Sequence, residues 1–233
     1  MHPPLSWSIC KAPKAVSEND VVSPTCLAAD ATTALGATAM PLSVRLPADG
    51  CRLFGPEIPP ATAGEPPPQP RAADVTGGYY QPLRADLDSA ATIALARIRC
   101  ALAGASMDAA TEFAARYAAN RNPTLTALVA TVDGREVALD TLPAGSDVTL
   151  RAGFTADSVE SFPVLDPQSQ ALIDHVETMT LSWFTDAGSL AFENSDGENR
   201  WTAPLSPGSA HLWIVLRDSR GGVDFAGYTL AIR

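Results

Sequence analysis

Beyond Asn120 the apolar residues recur at every second position in short runs, and clusters of Gly, Pro, Asp, Asn and Ser separate the runs. Alternation of period two predicts half-buried strands, and many short strands divided by polar turns predict an all-β sandwich. Residues 124–131 read as a first strand, and Asp133-Gly134 marks a tight turn into 136–139. Over 147–154, Val148, Leu150, Ala152 and Phe154 share one face. Met179, Leu181 and Trp183 do the same in 179–184, Leu212, Ile214 and Leu216 in 211–216, and Tyr228, Leu230 and Ile232 in 228–232.

Elsewhere the pattern is less regular. Asp166-Pro167 offers a helix N-cap followed by Pro at the first helical position, with Ala171, Leu172 and Val176 spaced for a short helix; an irregular strand crossing fits the same residues equally. Residues 106–118 are Ala-rich and set Ala110, Phe113, Ala114 and Tyr117 on one helical face, which predicts a short helix, with an edge strand as the rival. Asn120-Arg-Asn-Pro123 has the composition of a junction. Upstream, 5–8, 41–46, 78–87 and 91–102 read as strands, the last carrying Ile93, Leu95 and Ile98. Residues 56–70, with Pro59-Pro60 and Pro66-Pro67-Pro68, cannot be a central strand because Pro donates no ladder hydrogen bond, and they read as a stiff surface connection.

The chain of 233 residues has room for two domains of about 100 residues each. Of its 20 prolines, 14 precede residue 119; the first part has 9 basic and 11 acidic side chains and the second 7 and 15. These differences place a boundary between a Pro-rich, Cys-containing β domain at 1–118 and a more acidic domain at 119–233. A net charge of −10 with no basic cluster argues against nucleic acid, and no apolar run approaches the roughly 20 residues that cross a bilayer. All four cysteines lie in the first part, at spacings of neither a redox motif nor a zinc set. Disulfides Cys10–Cys26, closing a local loop, and Cys51–Cys100, joining distant strands, are the expected pairs; four buried thiols are the alternative. Disulfides would imply an oxidising compartment.

Ser182-Trp183-Phe184, the Ala187-Gly188 turn, Trp201-Thr-Ala-Pro204, the apolar 212–216 run, Asp218 with Gly221-Gly222, and a last strand follow in an order that resembles the immunoglobulin-like, PKD- or cadherin-like modules of bacterial envelope proteins. The resemblance covers about residues 123–233. It implies a seven-stranded sandwich whose third-strand Trp, here Trp183, packs between the sheets. Unlike antibody-type domains, this half has no cysteine, so burial alone must hold the sheets together. Leu5-Ser-Trp7 echoes Leu181-Ser-Trp183, and the first part looks like a second, irregular immunoglobulin-like unit. With Trp7 as its third-strand Trp, two strands should precede it, so a unit truncated at its N-terminus is expected, with an export or lipoprotein signal upstream of Met1. The residues at Met1 lack the basic and apolar regions of such a signal. An irregular β domain with an accidental Trp echo is the alternative.

Enzyme signatures are scarce. His2, His175 and His211 form no metal-ligand spacing, and no GxSxG, P-loop or GxGxxG motif occurs. Glu193, Asp196 and Glu198 concentrate hard oxygens near Asp186 and are candidate calcium ligands, against the plainer reading of a solvated hairpin tip. His211, Trp213 and Arg217 face away from the inward row of their strand, together with Val215, and form either a binding face or a surface covered by the other domain.

The reading is therefore an all-β protein of two immunoglobulin-like sandwich units, the first irregular, exported to the bacterial envelope, periplasm or cell exterior. Its role is structural or adhesion-type, with no cofactor apart from the calcium candidate and with other surface proteins or glycans as partners. A carbohydrate- or protein-recognition subunit of a larger surface assembly is the alternative, and an enzyme with an unrecognised site the third option. Arg outnumbers Lys 14 to 2, in keeping with a GC-rich bacterial coding bias.

Overall fold

A computed structural model describes residues 5–12, 24–38, 45–46, 48–55, 78–87, 90–102 and 104–233. The chain divides into two compact units, Met1–Arg116 with Pro163–Ile173, and Tyr117–Phe162 with Asp174–Arg233. Antiparallel strands dominate the described residues, and the fold class is all-β.

In the first unit, β1 (Leu5–Cys10), β2 (Thr32–Thr38), β3 (Gly78–Leu87) and β4 (Ala90–Arg99) form one antiparallel sheet in the order β2-β1-β3-β4, with a short helix α1 (Gly50–Phe54) between β2 and β3 in the chain. Three strand expectations thus hold, 78–87 with its ends unchanged and the other two with shifted ends. The fourth does not hold where it can be seen: Arg45 and Leu46 are not in a strand, and 41–44 lie outside the described residues, as do 56–70. The pattern does not announce the strand β2, because the TTALGAT segment carries no apolar alternation and its Thr33, Ala34 and Gly36 are exposed. Both expected disulfides form. Cys10, Cys26 and Phe54 make a small buried core against which Leu53, Ile93 and Ile98 pack, and Cys51–Cys100 ties α1 to the residue after β4. Beside it the buried Gln81 side chain donates to the Cys10 carbonyl at 3.3 Å. The Ala-rich stretch is a helix, α2 (Met107–Arg116): the Ser106 hydroxyl caps it by accepting from the Ala109 N–H at 3.2 Å, and Ala109 and Phe113 are its buried side.

The second unit continues with β5 (Val129–Val132), β6 (Arg135–Val137) and β7 (Asp147–Arg151). Of the two readings of 165–177, the helix is absent and the chain is extended: β8 (Ser161–Leu165) and β9 (Leu172–Val176) pair as a hairpin, of which Pro163–Ile173 belongs to the first unit. Asp166 does cap a turn, accepting from the Gln168 N–H and the Ser169 hydroxyl, but Gln170 at φ +57° ends it after one turn and the chain reverses. Then come β10 (Met179–Thr185), β11 (Ser189–Leu190), β12 (Asn194–Ser195), β13 (Glu198–Thr202), β14 (Gly208–Asp218) and β15 (Val223–Ile232).

These strands make two sheets, β11-β13-β7-β5-β6 and β12-β10-β14-β15. With β5, β7, β10, β11, β12, β13, β14 and β15 standing as A, B, C, D, C′, E, F and G, the first sheet reads D-E-B-A with β6 added beyond A, and the second C′-C-F-G, the strand neighbours of an immunoglobulin-like sandwich. The inward residues named from alternation in 147–154, 179–184, 211–216 and 228–232 lie in its core or, for Phe154, Met179 and Tyr228, pack partly buried against it, with Val148, Leu150, Leu181, Trp183, Leu212, Ile214, Leu216 and Leu230 fully buried. Trp201 on β13 joins them from the opposite sheet. The two indoles keep their N–H groups bonded inside the fold: Trp183 donates to the Ser195 hydroxyl at 2.9 Å and Trp201 to the Ala187 carbonyl at 3.0 Å. The strand β15 is bonded along both edges. Besides its ladder with β14, it exchanges four backbone hydrogen bonds with 139–144, among them the Leu142 N–H to the Ala231 carbonyl and the Arg233 N–H to the Leu142 carbonyl, and the Leu142–Ile232 bridge is parallel.

Two expectations follow. Trp183→Ala removes a buried indole and leaves a cavity, so chemical denaturation should show a loss of about 3–5 kcal/mol in the transition of the second unit. Reductant should destabilise only the first unit, by about 2–4 kcal/mol per disulfide, and raise the mass by about 4 Da in denatured protein. A shift in the Cys-free unit under the same reductant would contradict this.

Candidate functional site: the outer face of the C′CFG sheet

Residues opposite the core side of β10, β14 and β15 form the outer face of the four-stranded sheet. Register places Phe184 across from Trp213, Trp213 across from Gly227, Ser182 across from Val215, and Val215 across from Phe225. Phe184, Trp213 and Phe225 are 51%, 42% and 72% exposed, so three aromatic side chains on three adjacent strands meet solvent together. A Cβ on Gly227 would lie 3.3 Å from Trp213, so the absence of a side chain there lets the indole rest on β15.

Polar groups fix both flanks of this strip. The His211 N–H donates to Asp186 Oδ1 at 2.6 Å, and His211 Nδ1 bonds Asp186 Oδ2 at 2.7 Å. These bonds hold the Asp186 carboxyl below the usual range, the backbone N–H contributing most. The His211 ring, so anchored, stacks on Trp213 with centroids 5.8 Å apart and planes at 27°. On the other flank Arg217 donates to the Ser182 hydroxyl at 3.0 Å, which donates to Asn194 Oδ1 at 2.7 Å. The structure places His211, Trp213 and Arg217 on one face with Phe184 and Phe225. Extending the period-two count outward from Trp183 and backward from Tyr228 would have found both.

The carboxylates named as calcium candidates are placed as follows. Glu198 pairs with Arg151 at 2.7 Å; Asp196 sits at the β12–β13 turn; the Glu193 carbonyl accepts from the Trp183 N–H at 2.9 Å. Among the described residues no three His, Cys, Asp or Glu side chains gather as a metal site.

A second polar cluster is buried. Arg220, on the β14–β15 turn, reaches Glu177 Oε1 at 3.4 Å and Glu160 Oε2 at 3.8 Å, donates to the Ala118 carbonyl at 2.7 Å, and lies over the Phe162 ring at 4.9 Å. Asp218 in the same turn accepts from the N–H groups of Arg220 and Gly222, each at 2.8 Å. A Cβ on Gly222 would fall 2.0 Å from that carboxylate, which is why the turn needs glycine there. Burial holds the Glu177 carboxyl above the usual range, with repulsion from Asp218 and Glu160 adding to it and the Glu160 N–H and Arg220 opposing. Burial also opposes ionisation of Glu160, yet bonds from the Arg121 N–H and guanidinium bring it below the range. The cluster ties the segment that begins the unit to the β8–β9 hairpin and the last turn, and it is structural.

No family model matches the chain, and no curated protein matches it. Among solved structures, the D00-D0 domain of Intimin pairs with 74% of this chain and 76% of its own at 12% identity, with a TM-score of 0.28. A superposition that loose bears on neither fold nor function; the assignment of the sandwich rests on its strand order.

A carboxyl raised in the folded state contributes stability that is full below its unfolded pKa and is lost as pH rises through the folded value; Glu160, shifted down, does the reverse. Glu177→Gln removes the first contribution. Its stability relative to the parent chain should improve from pH 4 to pH 7 in urea titrations, whereas an improvement toward acid would refute the assignment.

Proposed function

We propose that this chain is a non-catalytic protein of adhesion or structural type that acts outside the cytoplasm and recognises its partner through the outer face of the C′CFG sheet. One observation carries the reading: Phe184, Trp213 and Phe225 stand exposed side by side, held by Gly227 and flanked by anchored polar groups. Aromatic residues that keep rigid apolar area in water, rimmed by hydrogen-bonding groups, are the usual anchors of recognition surfaces. Two disulfides support an oxidising location such as a bacterial envelope, periplasm or cell exterior. No helix among the described residues is long and apolar enough to cross a membrane. The partner classes are surface proteins and glycans. A sugar ring would stack its apolar side on the indole while His211, Arg217 and Asn194 meet its hydroxyls; a protein would bury all three aromatics.

A glycan array and binding to purified envelope components test this. Trp213→Ala should weaken whichever binding is found by about tenfold or more, with Tm changed by less than about 4 °C. Binding unaltered by Trp213→Ala and by Phe225→Ala would move the function elsewhere.

A further inference from the structure

The sheet of the first unit ends, among the described residues, on β4, a strand of ten residues paired with β3 without interruption from Ala90 to Arg99. Its sequence, AATIALARIR, holds no Pro, Lys or acidic residue, and its two charges, Arg97 and Arg99, stand at the C-terminal end, so the stretch from Ala90 to Ala96 carries no charge or Pro to keep another sheet edge away. Ala91, Ile93, Leu95, Arg97 and Arg99 alternate onto one face. Ile93 packs against the small disulfide core, whereas its neighbour Leu95 is 49% exposed. A long apolar edge of this kind is a template for another strand.

Charge and apolar pattern select the occupant. Both cations of the strand, Arg97 and Arg99, stand at its C-terminal end. An identical strand added in parallel would set like charges side by side, which is destabilising. Added antiparallel about Ala94, it sends the two Arg97 residues roughly 20 Å apart and puts Leu95 of each copy opposite Ile93 of the other. The same register covers the exposed Leu95 and leaves no charge facing a like charge. We propose that the protein self-associates through β4, two copies pairing antiparallel about Ala94 so that their four-stranded sheets join into one. The inference concerns the first unit and is independent of the aromatic face on the second.

Sedimentation equilibrium of the full chain should show a monomer–dimer equilibrium by about 100 μM, and Leu95→Lys should weaken it roughly tenfold or more. Leu95 is half exposed, so the variant should fold, and intact masses with both native disulfides check that it does. A second readout does not depend on that variant. Ala94→Cys sits on the twofold axis, about 4.5–5.5 Å from its mate, and should form a covalent dimer on mild oxidation; Thr92→Cys, roughly 13 Å from its mate, should not. A chain monomeric at all concentrations, a dimer indifferent to Leu95→Lys, or equal cross-linking of the two cysteine variants would each overturn the proposal.

Discussion

The second unit is organised around two indoles that enter the gap between its sheets from opposite sides. Trp183 comes from the C strand and Trp201 from the E strand, and both are buried with their N–H groups bonded, to Ser195 and to Ala187. An unpaired indole N–H would offset much of what burying the ring contributes, so the two hydrogen bonds are what allow side chains of this size at the centre of a domain with no disulfide. They also tie the short strand β12 and the 185–188 turn to the core, and these carry polar groups that flank the outer face. Because side chains alternate, fixing Trp183 inward fixes Phe184 outward; the core and the candidate site are two sides of one register.

Strands with one face fully buried were legible from the sequence. The rows Leu212-Ile214-Leu216 and Val148-Leu150 had to be apolar to lie between the sheets, and their alternation gave the strands within a few residues. Elements held by other means were not. In β13, Asn199 is buried by bonding the Phe192 N–H and carbonyl rather than by being apolar, so the strand shows only Trp201. In 165–177, Asp166-Pro167 begins a turn just as it would begin a helix, and the difference lies in Gln170, whose left-handed backbone no pattern announced. The segment Thr32–Thr38 of β2 offered no apolar periodicity at all.

The candidate site was half legible for the same reason. His211, Trp213 and Arg217 were apparent because they interrupt a strongly apolar strand. Phe184 and Phe225 read as ordinary hydrophobic residues, and only the cross-strand register shows that they complete the strip beside Trp213. The buried cluster of Arg220, Glu177, Glu160 and Asp218 was invisible, since its members are far apart in sequence and meet only when the last turn folds back on the hairpin. Like-charged carboxylates are tolerated there because one guanidinium sits among them and backbone N–H groups satisfy Asp218.

The double pairing of the final strand has a mechanical meaning. Where β15 meets 139–144 the two segments run in the same direction, so a pull on the C-terminus slides one along the other and loads their four hydrogen bonds at once. Bonds strained together must break together, whereas a hairpin pulled from its open end peels one rung at a time. A chain that transmits tension through Arg233 loads this seam in shear rather than by peeling.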